Sequence, residues 1–342
     1  MRILVTGAAG FMGSHLAGAL VRKGHKVWGV DDLSGGYRRN VPKGCRFVRL
    51  DLRDKRKTDA AVWRIRPALV YHLAADATEG RSQFTPRECT ERNYMAYINL
   101  LVPSIRCGMK RIVVTSSMSV YGAQKAPFSE KMDPRPEDLY GISKAAMEKC
   151  TEILADVHGF EYVILRPHNV YGEKQNMADP YRNVVAIFIN RILQDKPFYV
   201  YGDGKQTRAF THIDDFTPYI VKCGFQRNLA GEVINIGPRK EYTVNELATC
   251  ILEAFFGSMK AVPRHLKPMY LPFRPKEVKD AFCTSAKAER LLGYRTRVDL
   301  REGVSRMVTW ARKIGPQKPK YLSGGLELES KDTPATWKRK LI

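Results

Sequence analysis

No stretch of this sequence approaches the roughly 20 consecutive apolar residues that a bilayer-spanning helix needs, so no membrane anchor is expected. No C-x-x-C pair occurs, and the seven cysteines, at 45, 89, 107, 150, 223, 250 and 283, are an odd number in a long chain. Both points argue against a disulfide framework and a structural zinc site, and for free thiols in a reducing, cytoplasmic compartment with no metal. The opening run MRILVTGAAG breaks at a glycine turn too early for a signal-peptide core, so none is expected ahead of the fold. Internal repeats are absent. Acidic residues are scarce relative to basic ones, 35 Asp plus Glu against 57 Lys plus Arg, for a net charge of +22. Such an excess suits anionic partners in general, from nucleic acid to phosphorylated metabolites. The basic residues are scattered, with small clusters at Arg38-Arg39, Lys55 to Lys57 and Lys338 to Lys340. That distribution reads as a basic solvated surface, and nucleic acid is not an expected partner.

What is present is a 342-residue chain, 44% hydrophobic, long enough for two unequal domains or one α/β body with a smaller lobe. Short runs rich in β-branched residues predict strands at Ile3 to Thr6, Lys26 to Val30, Arg46 to Leu50, Ala68 to His72, Arg111 to Thr115 and Glu161 to Leu165. Between them Phe11 to Arg22, Tyr94 to Arg106 and Tyr140 to Val157 have helical length and period. Strand-helix alternation of this kind builds a doubly wound, mostly parallel α/β Rossmann sheet, here with a smaller C-terminal substrate-binding lobe. Beyond residue 170 the rhythm loosens. Helices are predicted at Tyr181 to Leu193, Asp214 to Cys223, Val244 to Phe255, Ser285 to Leu291 and Leu300 to Arg312. Strands are predicted at Phe198 to Tyr201 and at Val233 to Ile236, the latter returning to the main sheet. The expected division is a Rossmann domain over 1–170 with a re-entrant part at about 210–240, and a substrate lobe from 171–209 and 241–314. The basic tail 315–342, dominated by proline, lysine and glycine, is read as poorly structured or laid on the surface.

Gly7-Ala8-Ala9-Gly10-Phe11-Met12-Gly13 joins the first strand to the first helix, the context a dinucleotide-binding turn requires. Gly7 permits the tight turn, Gly10 lets the backbone approach a pyrophosphate, and Gly13 allows helix to pack on strand. The helix N-terminus adds unpaired N–H groups and a favourable dipole for the phosphates. Asp31 ends the second strand, where its carboxylate can accept both hydroxyls of an adenosine ribose and repel a 2′-phosphate. NAD is therefore the expected cofactor, while Arg38 and Arg39 would suit NADP. Asp51, at the end of the third strand, either caps the adenine or N-caps the helix after it.

Tyr140 and Lys144 stand four apart in a predicted helix, on one face. An ammonium near a phenol stabilises the phenolate and lowers its pKa, as a general base acting on a sugar hydroxyl needs, although such a pair also arises on ordinary helix surfaces. Ser116-Ser117-Met118-Ser119 follows the fifth strand at its carboxyl end, the ligand-binding edge of a doubly wound sheet. One of these hydroxyls can bind a reacting alcohol or carbonyl, and at least one of the three serines is a loop or cap residue.

At this point the chain resembles the extended short-chain dehydrogenase/reductase family, and within it the nucleotide-sugar epimerases. The matching segments are TGAAGFMG at 6–13, DDLSGG at 31–36, DLRD at 51–54, HLAA at 72–75, TSSMSVYG at 115–122, YGISK at 140–144, RPHNVYG at 166–172, TRAFTHIDD at 207–215, NIG at 235–237 and SAKAERLLGY at 285–294. They cover about residues 1–314 in the family's order. The resemblance implies a catalytic set of Ser117, Tyr140 and Lys144. It implies NAD contacts from Gly7, Gly10, Phe11, Met12, Gly13, Asp31, Asp32, Ser34, Gly35, Asp51, Leu52, Leu73, Ala74, Ala75, Tyr140, Lys144 and Asn93, the last bracing the site. On the substrate side it implies Ser117, Ser119, Asn169, Tyr199, Tyr201, Arg208, Arg274 and Ala281. Asn169, Arg208 and Arg274 would hold a diphosphate, Tyr201 would stack on the base, and Ala281 would leave room beside the sugar's C2 substituent. Guanidinium groups suit phosphate because they pair with its oxygens bidentately.

Departures from the family's pattern narrow the activity. Related 4,6-dehydratases carry an Asp-Glu pair where this chain has Met118-Ser119, and epimerases acting at C3 or C5 often place cysteine where Ser119 stands. Ala77 replaces a cofactor-contacting lysine of some 4-epimerases, and Ala96 a usual helix glycine. The implied function is NAD-dependent 4-epimerisation of a nucleotide sugar, UDP-glucose and UDP-galactose first, with space for N-acetylated UDP-hexoses. The alternatives are a nucleotide-sugar reductase using NAD(P), a GDP-sugar epimerase, and a non-catalytic RNA-binding or assembly protein that kept the fold. A complete Ser117, Tyr140, Lys144 set argues against the last. A homodimer is expected through the helices 94–106 and 140–157, with Met147, Ile153, Leu154 and Val157 offering apolar surface.

Overall fold

Strand order explains where a ligand can sit. In the computed structural model, which describes residues 1–274 and 277–342, the strands are β1 (Arg2–Thr6), β2 (Lys26–Asp31), β3 (Arg46–Arg49), β4 (Leu69–His72), β5 (Arg111–Thr115), β6 (Glu161–Pro167), β7 (Val170–Tyr171), β8 (Tyr199–Tyr201), β9 (Thr207–Arg208), β10 (Thr211–His212), β11 (Glu232–Ile236), β12 (Tyr242–Thr243), β13 (Met269–Leu271) and β14 (Asp280–Ala281). The main sheet runs β3-β2-β1-β4-β5-β6-β11, every pair parallel. Its order reverses between β1 and β4, so a crevice opens beyond their carboxyl ends.

The connecting helices are α1 (Phe11–Arg22), α2 (Lys55–Ile65), the short α3 (Glu79–Ser82) and α4 (Pro86–Thr90), α5 (Ala96–Arg106), α6 (Leu139–His158), α7 (Val184–Leu193), α8 (Thr217–Cys223), α9 (Val244–Phe256), α10 (Ala286–Leu292), α11 (Leu300–Ile314) and α12 (Ala335–Lys338). Alternation along β1 sends Ile3 and Val5 to one face, against Leu16 and Leu20 of α1 and Phe216 and Ile220 beside and within α8. Leu4 faces the other way, toward Val62, Leu100 and Met147 of α2, α5 and α6. Both faces are covered, as apolar strands without polar alternation require. A third cluster joins Phe188 and Ile189 of α7, Leu247 and Ile251 of α9, and Val304 and Met307 of α11 in the C-terminal lobe. The chain is thus doubly wound α/β with a smaller lobe.

Local chemistry moves several predicted boundaries. The segment expected to be helical from Tyr94 begins instead with a π-helical turn, Glu91–Met95, leading into α5. Helix α7 starts only at Val184 because Asn183 adopts a left-handed backbone, φ 64°. The predicted helix from Asp214 opens as a 3₁₀ turn and becomes α8 at Thr217, with Pro218 in the first turn where its missing N–H costs nothing. Asp54, not Asp51, caps α2 through the Lys57 N–H. All seven cysteines are free thiols. Among the described residues no helix is long and apolar enough to cross a membrane.

The tail is laid on the body, one of the two forms expected of it, and its last turn goes deeper than the surface. It is ordered against the body: Thr336 is fully buried and Trp337 is only 6% exposed. Aromatic contacts to Phe84 and Tyr181, not local propensity, place it there.

Candidate active site

The turn after β1 has the geometry of a phosphate cradle. Gly7 has φ +70°, and a Cβ on Gly13 would come within 2.0 Å of the Gly7 carbonyl oxygen, so only glycine lets α1 start this close to the turn. No side chain caps α1 at Gly10 and no acid occupies its first turn, where Phe11 and Met12 lie, leaving the helix dipole unopposed. Asp31 accepts the Ala9 N–H at 3.0 Å and the Leu33 N–H at 2.8 Å, which ties the end of β2 to the glycine turn. Burial raises its pKa, against these hydrogen bonds. Asp32 accepts from the Ser34 N–H and hydroxyl and pairs with Arg92 at 3.0 Å, a partner not foreseen from the sequence. Gly35 faces Arg182, another such residue: a Cβ on Gly35 would lie 2.6 Å from its guanidinium.

On the far side of the switch point, Thr6 Oγ1 accepts the N–H groups of Leu73 and Ala74 at 3.2 and 3.1 Å. Ala75 follows, half-buried, and the wholly buried Asn93 accepts the Asp76 N–H at 2.9 Å while donating to the Asp76 carbonyl at 3.2 Å. Asn93 occupies the π-helical turn, a distortion that commonly marks functional sites. Asp51 and Leu52 stand further out. Asp51 is held bidentately by Arg53, and the Leu52 side chain is buried in the core.

The structure brings Ser117, Tyr140 and Lys144 together at the carboxyl end of β5. Asp138 caps α6 by accepting the Gly141 N–H at 2.7 Å, fixing the helix that carries Tyr140 and Lys144. Its other oxygen accepts the Ser119 hydroxyl at 3.1 Å, and Ser117 Oγ accepts the Ser119 N–H. Helix cap and serine loop are therefore one hydrogen-bonded unit. Lys144, 2% exposed, donates to the Thr115 carbonyl at 2.8 Å with its nitrogen 5.6 Å from the Tyr140 ring centre.

The electrostatics of the protein alone reverse one expectation. Tyr140 is pushed well above the ordinary phenol range, first by burial and then by the carboxylates Glu79 and Asp138. Lys144, pushed down to about 8 by burial against the pull of Glu148, does not overcome them. These chain groups by themselves hold the phenol protonated.

Beside the hydrogen-bonded Ser119 and Asp138 lies a cavity of about 700 Å³, counting its solvent-open part, and Ser117, Tyr140, Lys144, Asn169 and Tyr201 are not among the described residues that line it. Ser119, Arg208, Arg274 and Ala281 line it, together with Asp138, Glu79, Phe84 and Trp337, which sequence patterns did not single out. Glu79 opens into the cavity from α3, yet crowding by protein raises its carboxyl to about 7. Ala281 pairs in register with Arg208. The Arg208 guanidinium is pinned by the carbonyls of Thr207, Val278 and Lys279. Arg274 pairs with Glu277 at 2.9 Å and lies over the Tyr201 ring, 5.0 Å from its centre. Pro275 and Lys276 of the same stretch lie outside the described residues. Asn169 donates to the Ala209 carbonyl, beside Arg208. Tyr199 is not among the described residues that line this cavity, and Arg191 lies over its ring.

A model of the NAD dependent epimerase/dehydratase family matches residues 3–237. A protein of Methanocaldococcus jannaschii described as a putative UDP-glucose 4-epimerase is 34% identical over 313 residues, spanning 91% of this chain and 98% of that one. Among solved structures, the UDP-glucose 4-epimerase of Thermotoga maritima with UDP-glucose superposes with a TM-score of 0.84 at 33% identity, covering 92% of this chain and 99% of its own. The Thermus thermophilus UDP-glucose 4-epimerase in complex with NAD gives a TM-score of 0.84 at 32% identity, covering 91% and 98%.

Proposed function

We propose that this chain, which belongs to the NAD dependent epimerase/dehydratase family, inverts the configuration at C4 of a nucleotide-bound hexose, UDP-glucose and UDP-galactose foremost. The observation that carries this reading is the joining of Ser117, Tyr140 and Lys144 to Ser119 and the Asp138 cap, which line the same cavity as Arg208 and Arg274.

The glycine turn, the bare N-terminus of α1 and Asp31 fit NAD, with Leu73, Ala74 and Asn93 closing the opposite side. When bound, NAD supplies a two-electron oxidant that is regenerated within the same turnover. As the phenolate, which the positive charge of bound NAD and of Lys144 together would have to favour against burial and the nearby acids, Tyr140 takes the proton of the sugar C4 hydroxyl and later returns it to the ketone oxygen when the sugar presents its other face. Ser117 steadies that oxygen by a hydrogen bond, and Lys144 supplies positive charge that favours the phenolate. Arg208, Arg274 and Asn169 hold the diphosphate, which fixes the nucleotide while the sugar turns. Residues 1–170, with 210–240, serve the cofactor, and 171–209 with 241–314 serve the substrate. Incubating the protein with catalytic NAD and a panel of UDP-, GDP- and dTDP-sugars, and determining each product's configuration, tests the reading. Net consumption of NADH or NADPH would make it a reductase, and salt-sensitive RNA binding without turnover would make it a binding protein.

NAD selectivity follows from Asp31. Because its carboxylate also accepts two backbone N–H groups, Asp31→Asn should weaken NAD by about tenfold or more and NADP by less, measured by calorimetric titration. A wild type that binds NADP as tightly as NAD sinks the assignment.

Ala281 supports a wide substrate pocket, since it lines the cavity and is only 6% exposed. The protein should accept UDP-N-acetylglucosamine as well as UDP-glucose. Ala281→Tyr should selectively suppress the acetylated sugar, with overpacking on the order of 1–3 kcal/mol. Kinetics on both sugars decide it, and an unchanged preference removes Ala281 from the C2 wall.

Pairing into a cytoplasmic homodimer is part of the same reading. Its support lies on α5 and α6, where Val102, Ile142, Ile153 and Val157 are exposed. Met147, expected on that surface, is buried against the sheet, and Leu154 is half-buried. Sedimentation at working concentration decides it, and an active monomer counts against it.

A further inference from the structure

The tail 315–342 crosses the cleft twice. Leaving α11, Gln317 is gripped by Asn190 of α7, whose amide accepts its N–H at 2.8 Å and donates to its carbonyl at 2.9 Å. Lys320 donates to the Ala178 carbonyl and Leu322 to the Tyr181 hydroxyl, so this stretch belongs to the lobe. The chain then reaches the sheet domain, where Glu327 and Leu328 donate to the Phe84 carbonyl at 2.9 and 3.1 Å. The Glu327 carboxylate also accepts the N–H groups of Arg87 and Glu88.

The last turn comes back to the cavity. Thr336 is hydrogen-bonded to the Tyr201 hydroxyl, and Trp337 stands edge-on to Phe84 of the sheet domain and to Tyr181 of the lobe, at 6.0 and 5.6 Å. Pro334 and Trp337 line the same cavity as Ser119, Arg208 and Arg274. The Tyr321 hydroxyl accepts the Ile342 N–H at 3.0 Å and donates to its carbonyl at 2.8 Å, pinning the chain's last residue. A loose surface tail would hold neither a buried threonine nor a buried tryptophan.

We infer that Pro334 and Trp337 form a wall of the substrate cavity, with Trp337 contacting the nucleotide end of the bound sugar nucleotide and the buried Thr336 holding Tyr201 beside it. This rests on the nucleotide-sugar reading of the site. The nucleotide end is singled out because Thr336 holds Tyr201, the ring expected against the base, and that ring lies beside Arg274. An indole offers a flat apolar surface to a base or ribose and an N–H to a polar edge. A wall of this kind acts on binding and not on proton transfer at C4.

Three full-chain variants, Trp337→Ala, Trp337→Phe and Thr336→Val, test this. UDP binding is measured by calorimetry, alongside KM and kcat for UDP-glucose. Trp337→Ala should raise the Kd for UDP and the KM by about tenfold or more, with kcat changing less than about threefold, and Trp337→Phe should recover most of the loss. Thr336→Val should weaken UDP in the same direction. If Trp337→Ala does not fold, the two milder variants carry the test, Thr336→Val by weakened UDP binding and Trp337→Phe by binding near wild type. Unchanged UDP affinity in Trp337→Ala overturns the inference, or in Thr336→Val should the alanine variant not fold. Tighter binding in either also overturns it, since the segment would then be a plug. UDP binding that depends on Trp337 in a wild type without epimerase turnover would uphold the wall and refute the activity.

Discussion

Exchanging Tyr140 for phenylalanine should cut kcat for C4 inversion by at least about 100-fold, the usual scale of a lost general acid-base group. The variant should fold normally. The ring is 6% exposed within a packed helix, and phenylalanine keeps its volume. The hydroxyl it removes is partnered by Ser117. Rate, NAD content and thermal stability measured together separate the outcomes: a large loss of rate with cofactor and melting temperature retained is expected. Activity near wild type would require another base. His168, the histidine of the RPHNVYG segment and the first such base to consider, is poorly placed for it: its ring is buried against Gly237, without a hydrogen-bond partner among the described residues, and burial lowers its pKa to about 3. Glu79 would take its place, being a cavity-lining carboxyl raised to about 7.

The contrast between His168 and Glu79 shows what the sequence made legible. Motifs that depend on local backbone chemistry were readable: the glycine turn, Asp31 at a strand end, and a tyrosine and lysine one helical turn apart. The strand Arg111–Thr115 and the helix Phe11–Arg22 were bounded correctly because β-branched and helical periods are properties of the local chain. Glu79 carries no such signal. It sits on a four-residue helix and gains importance only because the fold sets it near Tyr140. Trp337 was hidden for the same reason, since its partners Phe84 and Tyr181 lie far away in sequence while its own neighbours read as a poorly structured or surface-laid tail. Arg92 and Arg182 approach the loop after β2 from distant segments and were likewise invisible to pattern. The phenol's raised pKa went unforeseen because spacing reveals the helpful lysine but neither the burial of the ring nor the two acids that oppose the lysine.

Replacing Lys144 with methionine should abolish most activity and yet change stability in a way that exposes what the lysine costs the fold. The ammonium is 2% exposed, and its pKa falls from 10.5 to about 8, chiefly through burial, partly opposed by Glu148. Between those two values the unfolded chain keeps a proton that the folded chain has lost. The folded state is therefore penalised fully below about pH 8, and the penalty fades as pH rises toward the unfolded value. At neutral pH it is on the order of 3 kcal/mol, from about 1.4 kcal/mol per pKa unit. Methionine fills similar space without charge and removes that penalty, but it leaves the Thr115 carbonyl without its donor, at about 1–3 kcal/mol. The two effects nearly offset at pH 7, so melting temperature at one pH is a poor test. The pH dependence is a sharp one: from pH 7 to 9.5 wild-type stability should gain roughly 2 kcal/mol relative to Lys144→Met in denaturant unfolding. Parallel stability curves for the two proteins would show that Lys144 does not titrate near 8. Curves that are not parallel, with the wild type gaining on the variant as pH rises, together with a loss of kcat of about 100-fold or more, would identify a charge retained for chemistry against the interest of the core that surrounds it.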